Sequence, residues 1–320
     1  MLNQLTDSII SGRRLTPDDD LMPLLTAPIE ELSREADRLR RALLSDHGEL
    51  CTIVNGRSGK CPENCKFCAQ SAHHHTEAET YGFLSDQELL EDCRSLEIRG
   101  VHRYSIVTAG RNLGADLDKA VGAYRCLHEH THMLLCASHG LLTEEELRRL
   151  KEAGVTRYHA NLETSRRNFP NICTTHTYDD KIACIQAARR AGLEVCSGGI
   201  LGLGETMQDR IDMAFDLAAL KVNSIPLNVL VAIPGTPFAD LPPLSEEEIL
   251  RSVAIFRFIC PDITIRLAGG RMLMKNYGEN ALKGGANATI TGDMLTTSGN
   301  GITEDKELFT KLGYDINWKS

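Results

Sequence analysis

Between residues 28 and 44 apolar side chains recur every three or four positions, at Leu32, Ala36, Leu39 and Leu43, with charged residues in the intervals. That spacing lays one apolar stripe along a helix, so a helix is expected over about 28–44. Ahead of it, Thr16-Pro17-Asp18-Asp19 combines a capping hydroxyl, a first-turn proline and carboxylates at the positive end of the dipole, the composition of a helix start. From residue 50 the pattern changes. Short β-rich runs centred on 51–54, 104–107, 133–136, 158–162, 193–196, 226–231, 263–267 and 288–290 alternate with helical stretches. Ser85 with Glu88 and Thr143 with Glu146 have capping-box spacing, and Gly100, Gly154 and Gly192 stand where helices would end.

Strands alternating with helices imply a parallel sheet with right-handed crossovers. Eight strands is the number that closes a (β/α)8 barrel, with an open doubly wound sheet as the alternative. No repeat, low-complexity tract or Gly/Ser linker divides the chain. The expected α/β organisation is therefore a helical extension over 1–45 and one (β/α)8 TIM-type barrel with a C-terminal segment over 46–320. In either architecture ligands gather where strands end and βα-loops begin. The unusual polar residues fall there: the cysteines of 61–68, Thr108-Ala109-Gly110-Arg111, Ser138-His139, Asn161 and Glu163, Gly198-Gly199, and Pro234-Gly235-Thr236.

The 320 residues carry 35 Lys and Arg against 44 Asp and Glu, a net charge of −9. That balance disfavours nucleic acid or an anionic membrane as the main partner. No basic segment followed by an apolar run opens the chain, and no stretch approaches the roughly 20 apolar residues of a membrane span. A cytoplasmic protein is expected.

Eleven cysteines is an odd number, and a cytosolic setting disfavours structural disulfides. Cys51, Cys93, Cys126, Cys184 and Cys260 match no ligand motif and are expected to be small packing residues. Cys61, Cys65 and Cys68 differ, because they crowd into eight residues with the spacing C-x3-C-x2-C. Three thiolates on one short loop can hold three corners of a [4Fe–4S] cube and leave the fourth iron without a protein ligand. The alternatives are a redox thiol pair or zinc, with the run His73-His74-His75 offering a fourth ligand. That run is otherwise expected to be a solvated loop.

The triplet, with aromatic Phe67 directly before its last cysteine, resembles the radical SAM superfamily. Longer segments extend the resemblance to the biotin synthase family across about residues 45–317. They are CPENCKFCAQSA at 61–72, YHANLET at 158–164, NICTTHTY at 171–178, VCSGGILGLGET at 195–206, IPLNVLVAIPGTP at 225–237 and IRLAGGR at 265–271. The resemblance implies a (β/α)8 homodimer that inserts sulfur into dethiobiotin to give biotin. Its [4Fe–4S] cluster would bind S-adenosylmethionine and reduce it to methionine and a 5′-deoxyadenosyl radical, with electrons from flavodoxin or ferredoxin. It further implies that Cys61, Cys65 and Cys68 ligate this cluster. Asn161 and Glu163 would stand near the S-adenosylmethionine ribose and the substrate, where the family has Asn and Asp. Lys181 replaces an arginine at the S-adenosylmethionine carboxylate, Asn228 matches a substrate-contacting asparagine, and Thr296 and Thr297 lie where the substrate carboxylate is expected.

Family members hold a second, [2Fe–2S], cluster with three cysteines and an arginine, matched here by Cys136, Cys196 and Arg266. The remaining position is Ser105, and a hydroxyl is a harder, less acidic ligand than a thiol. Cys173, in the loop after the fourth strand, is the spare thiol. The expectation is an auxiliary cluster on Cys136, Cys173 and Cys196, with a four-iron cluster as the alternative to the two-iron one. Rival readings are a relative of the hydrogenase-maturation or methylornithine type, a non-catalytic iron–sulfur or zinc protein, and a zinc hydrolase on the same barrel.

Overall fold

The computed structural model describes residues 2–295 and 299–318. Among the described residues the nine strands are β1 (Glu49–Arg57), β2 (Arg103–Thr108), β3 (Leu134–Ser138), β4 (Val155–His159), β5 (Glu194–Cys196), β6 (Gly199–Leu201), β7 (Ser224–Val229), β8 (Thr264–Leu267) and β9 (Ala288–Ile290). All are parallel and follow the order β5-β4-β3-β2-β1-β9-β8-β7-β6, and β5 also pairs with β7 through Cys196 and Ser224. That last pairing closes the sheet. β5 and β6 are two pieces of one barrel strand, separated by Ser197-Gly198, so the closed barrel has eight.

The interruption has a steric cause. A Cβ at Gly198 would lie 2.0 Å from the Pro226 carbonyl oxygen, and one at Gly199 would lie 2.4 Å from that of Glu163. Only glycine lets three backbones approach so closely. The approach ties the loop after β4 to β6, with Ile200 N donating to Glu163 O at 2.9 Å and Glu163 N to Gly198 O at 3.1 Å.

The helices lie between the strands, on the outside. Ser85–Glu88 and Thr143–Glu146 form the two expected capping boxes, and Thr177–Asp180 and Thr206–Asp209 form two more with aspartate in the third position. Gly100, Gly154 and Gly192 follow their helices with positive φ. Two expectations are corrected. The fourth strand runs over Val155–His159 instead of 158–162, because Arg157 is an inward-facing charge that breaks the apolar signature. Thr16 does not start a helix. Its amide and hydroxyl donate to the Asp19 carboxylate at 2.8 and 3.0 Å, and Pro23 has no N–H to offer the Asp19 carbonyl, so the turn cannot propagate. The N-terminal helices are Leu2–Ile10, Met22–Thr26 and Ile29–Leu44. The last of these buries Leu32, Ala36 and Leu39 in the same apolar core as the barrel, and Arg251 of helix Glu246–Ile259 donates to the Leu24 and Ala27 carbonyls. No helix among the described residues is long and apolar enough to cross a membrane.

The C-terminal segment covers the N-terminal end of the barrel, where Trp318 stacks on His102 at 4.3 Å and donates to Gly48 O. Helix Ile302–Lys311 is fixed by a buried fork in which both Arg271 terminal nitrogens meet the Asp305 carboxylate at 2.8 and 2.6 Å. Asp305→Ala leaves that guanidinium buried and unpaired, so a loss of about 3–5 kcal/mol is expected in urea unfolding. An unchanged midpoint would contradict the role given to the fork.

Candidate functional site

The cysteine loop leaves the C-terminal end of β1 and closes on itself through Cys61 N–Gln70 O at 3.0 Å, Ala72 N–Cys61 O at 2.8 Å and Cys68 N–Cys65 O at 3.0 Å. It is strapped to the segment after β4. Asn64 Oδ1 accepts from Thr174 N at 2.9 Å, Lys66 N donates to Ile172 O at 2.9 Å, and the Glu63 carboxylate accepts from Thr175 Oγ1 at 2.6 Å and from His176. Arg111, after β2, bridges Glu63 and the Thr175 carbonyl at 3.3 and 2.8 Å. The loop geometry is therefore held by bonds that do not involve sulfur. The three thiols remain partly exposed at the barrel mouth. Burial pushes the Cys68 thiol up to about 11, with Cys61 and Glu163 adding to the shift.

The His73–His75 run is tethered rather than free. His73 Nε2 lies 3.0 Å from Pro62 O and His74 Nε2 lies 3.0 Å from Cys65 O, so two rings brace the cysteine loop. A Cβ at Gly235 (φ +86°) would come within 1.9 Å of the His75 carbonyl oxygen, which places the loop after β7 directly against the same brace.

Beneath the loop lie two chambers. The outer, of ≈ 220 Å³, touches Cys68, Gln70, Val229 and Gly270. The inner, of ≈ 280 Å³, is lined by Cys51, Ser105, Cys136, His159, Cys196 and Arg266 among others. Ile53, Phe67, Ile200, Asn228, Ile290 and Leu295 belong to both, so the two communicate. Asn161 and Glu163 line the inner chamber toward the mouth. Asn161 Oδ1 accepts from Gly198 N at 3.0 Å, and its amide donates to Glu163 Oε2 at 3.3 Å. Glu163 has positive φ (71°) in a buried loop. Burial raises its pKa, against the pull of Lys181, His159 and Asn161. Lys181 lies near enough for its charge to act on Cys65 as well as on Glu163. Asn228 uses its amide to join Gly199 O and Gly269 N at 3.2 and 2.9 Å.

The chamber floor carries concentrated charge. Glu49 pairs with Arg103 at 2.7 Å, with Arg157 at 3.1 Å and with Arg266, while Glu194 meets Arg157 at 2.9 Å and Arg103 at 3.5 Å. Three guanidinium groups against two carboxylates leave one positive charge over, facing the chamber that Cys51, Cys136 and Cys196 line. Burial raises the Cys136 thiol pKa, with Arg103 and Arg157 opposing, and takes the Cys51 thiol up to about 12, with Arg266 opposing. His159 is pushed down to about 4 by burial, so its ring is neutral near pH 7.

Cys136, Cys196 and Arg266 are thus brought together, and Cys173 is not with them. Its Sγ stands 3.7 Å from Cys65 Sγ and 3.3 Å from His176 Nδ1, packed under the cysteine loop. The expected set of Cys136, Cys173 and Cys196 is corrected on this point, because the strap that holds Asn64 and Lys66 carries Cys173 to the mouth. Donor atoms of Cys65, Cys173 and His176 all lie within 4.8 Å of one another. Ser138 lines the inner chamber. His139 turns away between Thr108 Oγ1 at 3.0 Å and Tyr124 OH at 2.9 Å, and burial holds it down at about 3. Thr296 and Thr297 lie outside the described residues. Sequence reasoning missed Cys51 and Glu49. Both are in phase with inward Ile53 on β1, a period-two signal that was available.

Residues 57–217 match the model of the radical SAM superfamily, and residues 226–315 match that of the biotin and thiamin synthesis associated domain. The chain is 58 % identical over 316 residues to the biotin synthase of Alkaliphilus metalliredigens, covering 98 % of this chain and 99 % of that one. It is 56 % identical to that of Clostridium beijerinckii, over 98 % and 100 %. Among solved structures it resembles methylornithine synthase, with TM-score 0.86 at 19 % identity over 98 % of both chains. It also resembles the FeFe-hydrogenase maturase of Carboxydothermus hydrogenoformans, with TM-score 0.79 at 15 % identity, over 98 % of this chain and 78 % of that one. At 19 % and 15 % identity the two structural likenesses show the fold alone, whereas the sequence likenesses, at 58 % and 56 %, show the family.

Proposed function

The chain belongs to the biotin synthase family of the radical SAM superfamily, and from that premise we propose how its own residues divide the work of converting dethiobiotin to biotin. The observation that carries the assignment is the continuity of the two chambers. Cys68 of the tripod Cys61, Cys65 and Cys68 lines the outer one, Cys136, Cys196 and Arg266 line the inner one, and shared walls join them.

The tripod fits a [4Fe–4S] cluster with one open iron: three partly exposed thiols on a loop shaped by other bonds, with no fourth thiolate within the C-x3-C-x2-C loop. Bound there, that cluster supplies the electron that splits S-adenosylmethionine into methionine and a 5′-deoxyadenosyl radical. The inner chamber fits a second, anionic iron–sulfur cluster at Cys136, Cys196 and Arg266, because the surplus positive charge of its floor offsets thiolate charge in a low-dielectric cavity. Bound there, that cluster supplies the sulfur.

The remaining work is done by the barrel. Lys181 offers an ammonium to the S-adenosylmethionine carboxylate as a point charge, without an arginine's paired donors. Glu163 accepts from the ribose hydroxyls, oriented by the Asn161 amide. Asn228, already fixed by two backbone contacts, presents its edge to the substrate between the chambers. Ile53, Phe67, Ile200 and Ile290 exclude water from the path between radical and target carbon.

The deciding experiment is anaerobic turnover of the iron-loaded protein with S-adenosylmethionine, reductant and dethiobiotin. Biotin should appear together with 5′-deoxyadenosine, at a rate that depends on dethiobiotin. Cleavage indifferent to dethiobiotin would overturn the substrate assignment and favour one of the structural relatives' chemistries. Glu163→Gln keeps shape and removes charge, weakening charge-assisted bonds by about 1.5–3 kcal/mol, so the KM for S-adenosylmethionine should rise roughly ten- to hundredfold. Glu163→Asp, the family's usual residue, should restore most of it.

A further inference from the structure

Ser105 costs the inner chamber one thiol, yet the chamber still has three: Cys51, Cys136 and Cys196 all line it. These three share a second property. Cys93, Cys173, Cys184 and Cys260 are part of the contiguous apolar core, whereas Cys51, Cys136 and Cys196, equally buried, are not. They face the chamber and its arginines instead of hydrocarbon.

Strand register places them at one height. In a closed (β/α)8 barrel the stagger advances by about one residue per strand, so alternate strands contribute four side chains to each interior layer, offset by about two residues from the direct sheet partner. Cys51 pairs through Arg103 to Leu134, and two residues on is Cys136. Cys136 pairs through Arg157 to Glu194, and two residues on is Cys196. Cys196 pairs through Ser224 to Thr264, and two residues on is Arg266. Arg266 pairs through Ala288 to Glu49, and two residues on is Cys51 again. The circuit closes on itself. Cys51, Cys136, Cys196 and Arg266 form one layer of four, contributed by alternate barrel strands.

By the same rule Ser105 belongs to the next layer toward the mouth, with His159, Pro226 and Ile290. Arg103 and Arg157 lie on the floor side. We propose that Cys51 supplies the third thiolate of the second cluster, completing a planar set with Cys136, Cys196 and Arg266 in place of a ligand at Ser105. The assignment rests on the reading above that a cluster occupies this chamber. It replaces a hard hydroxyl by a soft thiolate and moves the cluster's third anchor from β2 to β1, one layer deeper in the barrel.

The test begins from the Cys61→Ala/Cys65→Ala/Cys68→Ala protein, reconstituted anaerobically with iron and sulfide, in which retained iron, acid-labile sulfide and visible charge-transfer absorption report the second site alone. Adding Cys51→Ala should remove most of that iron and absorption, and so should Cys51→Ser, which preserves volume and guards against a packing defect. Adding Ser105→Ala or Cys173→Ala should change neither. Ser105→Cys in the Cys51→Ala background should recover iron, because it returns a thiol to the chamber. Iron and spectrum unaffected by both Cys51 changes would overturn the ligand assignment. A starting protein that binds no iron or sulfide would overturn it differently, by removing the second cluster itself.

Discussion

Replacing Cys61, Cys65 and Cys68 together by alanine is expected to reduce S-adenosylmethionine cleavage to the uncatalysed background while the barrel stays folded. The two halves of that expectation have separate causes. Homolysis of a sulfonium bond needs a low-potential electron that no side chain provides, so losing the cluster's protein ligands loses the chemistry entirely. The loop itself is shaped by Cys61 N–Gln70 O, by the Ser71 hydroxyl on Glu63 O at 2.7 Å, and by the Asn64, Lys66 and Arg111 straps, none of which involves sulfur. Far-UV circular dichroism should therefore match the parent while 5′-deoxyadenosine formation disappears. Among single changes Cys65→Ala should retain the most iron, since Cys173 Sγ stands 3.7 Å from the lost thiol and can take up the vacated corner. Cys61→Ala or Cys68→Ala retaining as much would contradict this geometry.

Glu49→Gln is expected to destabilise the apoprotein by about 3–5 kcal/mol, because it leaves Arg103, Arg157 and Arg266 facing one another with only the half-exposed Glu194 between them. All three guanidinium groups are buried, so solvent cannot take over the screening. The same residue sets an acid limit. Burial pushes the Glu49 carboxyl up, but Arg266, Arg157 and Arg103 together outweigh it and hold the pKa well below the ordinary value of 4.5. A depressed folded-state pKa means that this contribution is complete above the unfolded value and fades as pH falls below about 4.5 toward the folded one. Urea titrations at neutral and acid pH should show the parent losing stability in that window and Glu49→Gln losing less. Equal midpoints at neutral pH would refute the keystone role given to this carboxylate.

Much of this molecule is legible as sequence, and the limits have physical reasons. Local signals carried far: the stripe at Leu32, Ala36 and Leu39, the capping boxes at Ser85 and Thr143, the terminating glycines, and the cysteine triplet at the barrel mouth. Strand positions followed from short apolar runs, and β4 slipped only because Arg157 is an inward charge neutralised by partners on β1 and β5. Ligand sets were harder. Proximity in sequence to the active face suggested Cys173 as the replacement thiol, but which residues share a layer depends on barrel stagger and closure, a property of all the strands together. Cys51 lies in the first strand, far along the chain from Cys196, and only the register carried through the four successive pairings from β1 to β5 puts them at one level. The Glu49 floor was hidden for the same reason: its partners Arg103, Arg157 and Arg266 come from three other strands.

The central claim is that the thiolate tripod holds a four-iron cube with one vertex free for S-adenosylmethionine. Electron paramagnetic resonance of the anaerobically loaded, reduced protein tests it, recorded before and after adding S-adenosylmethionine. A cube with an open vertex should give a signal whose g values shift on addition and that is absent from the Cys61→Ala/Cys65→Ala/Cys68→Ala protein. A loaded protein with no signal that responds to the ligand, or a ligand-responsive signal that survives loss of all three cysteines, would contradict the account.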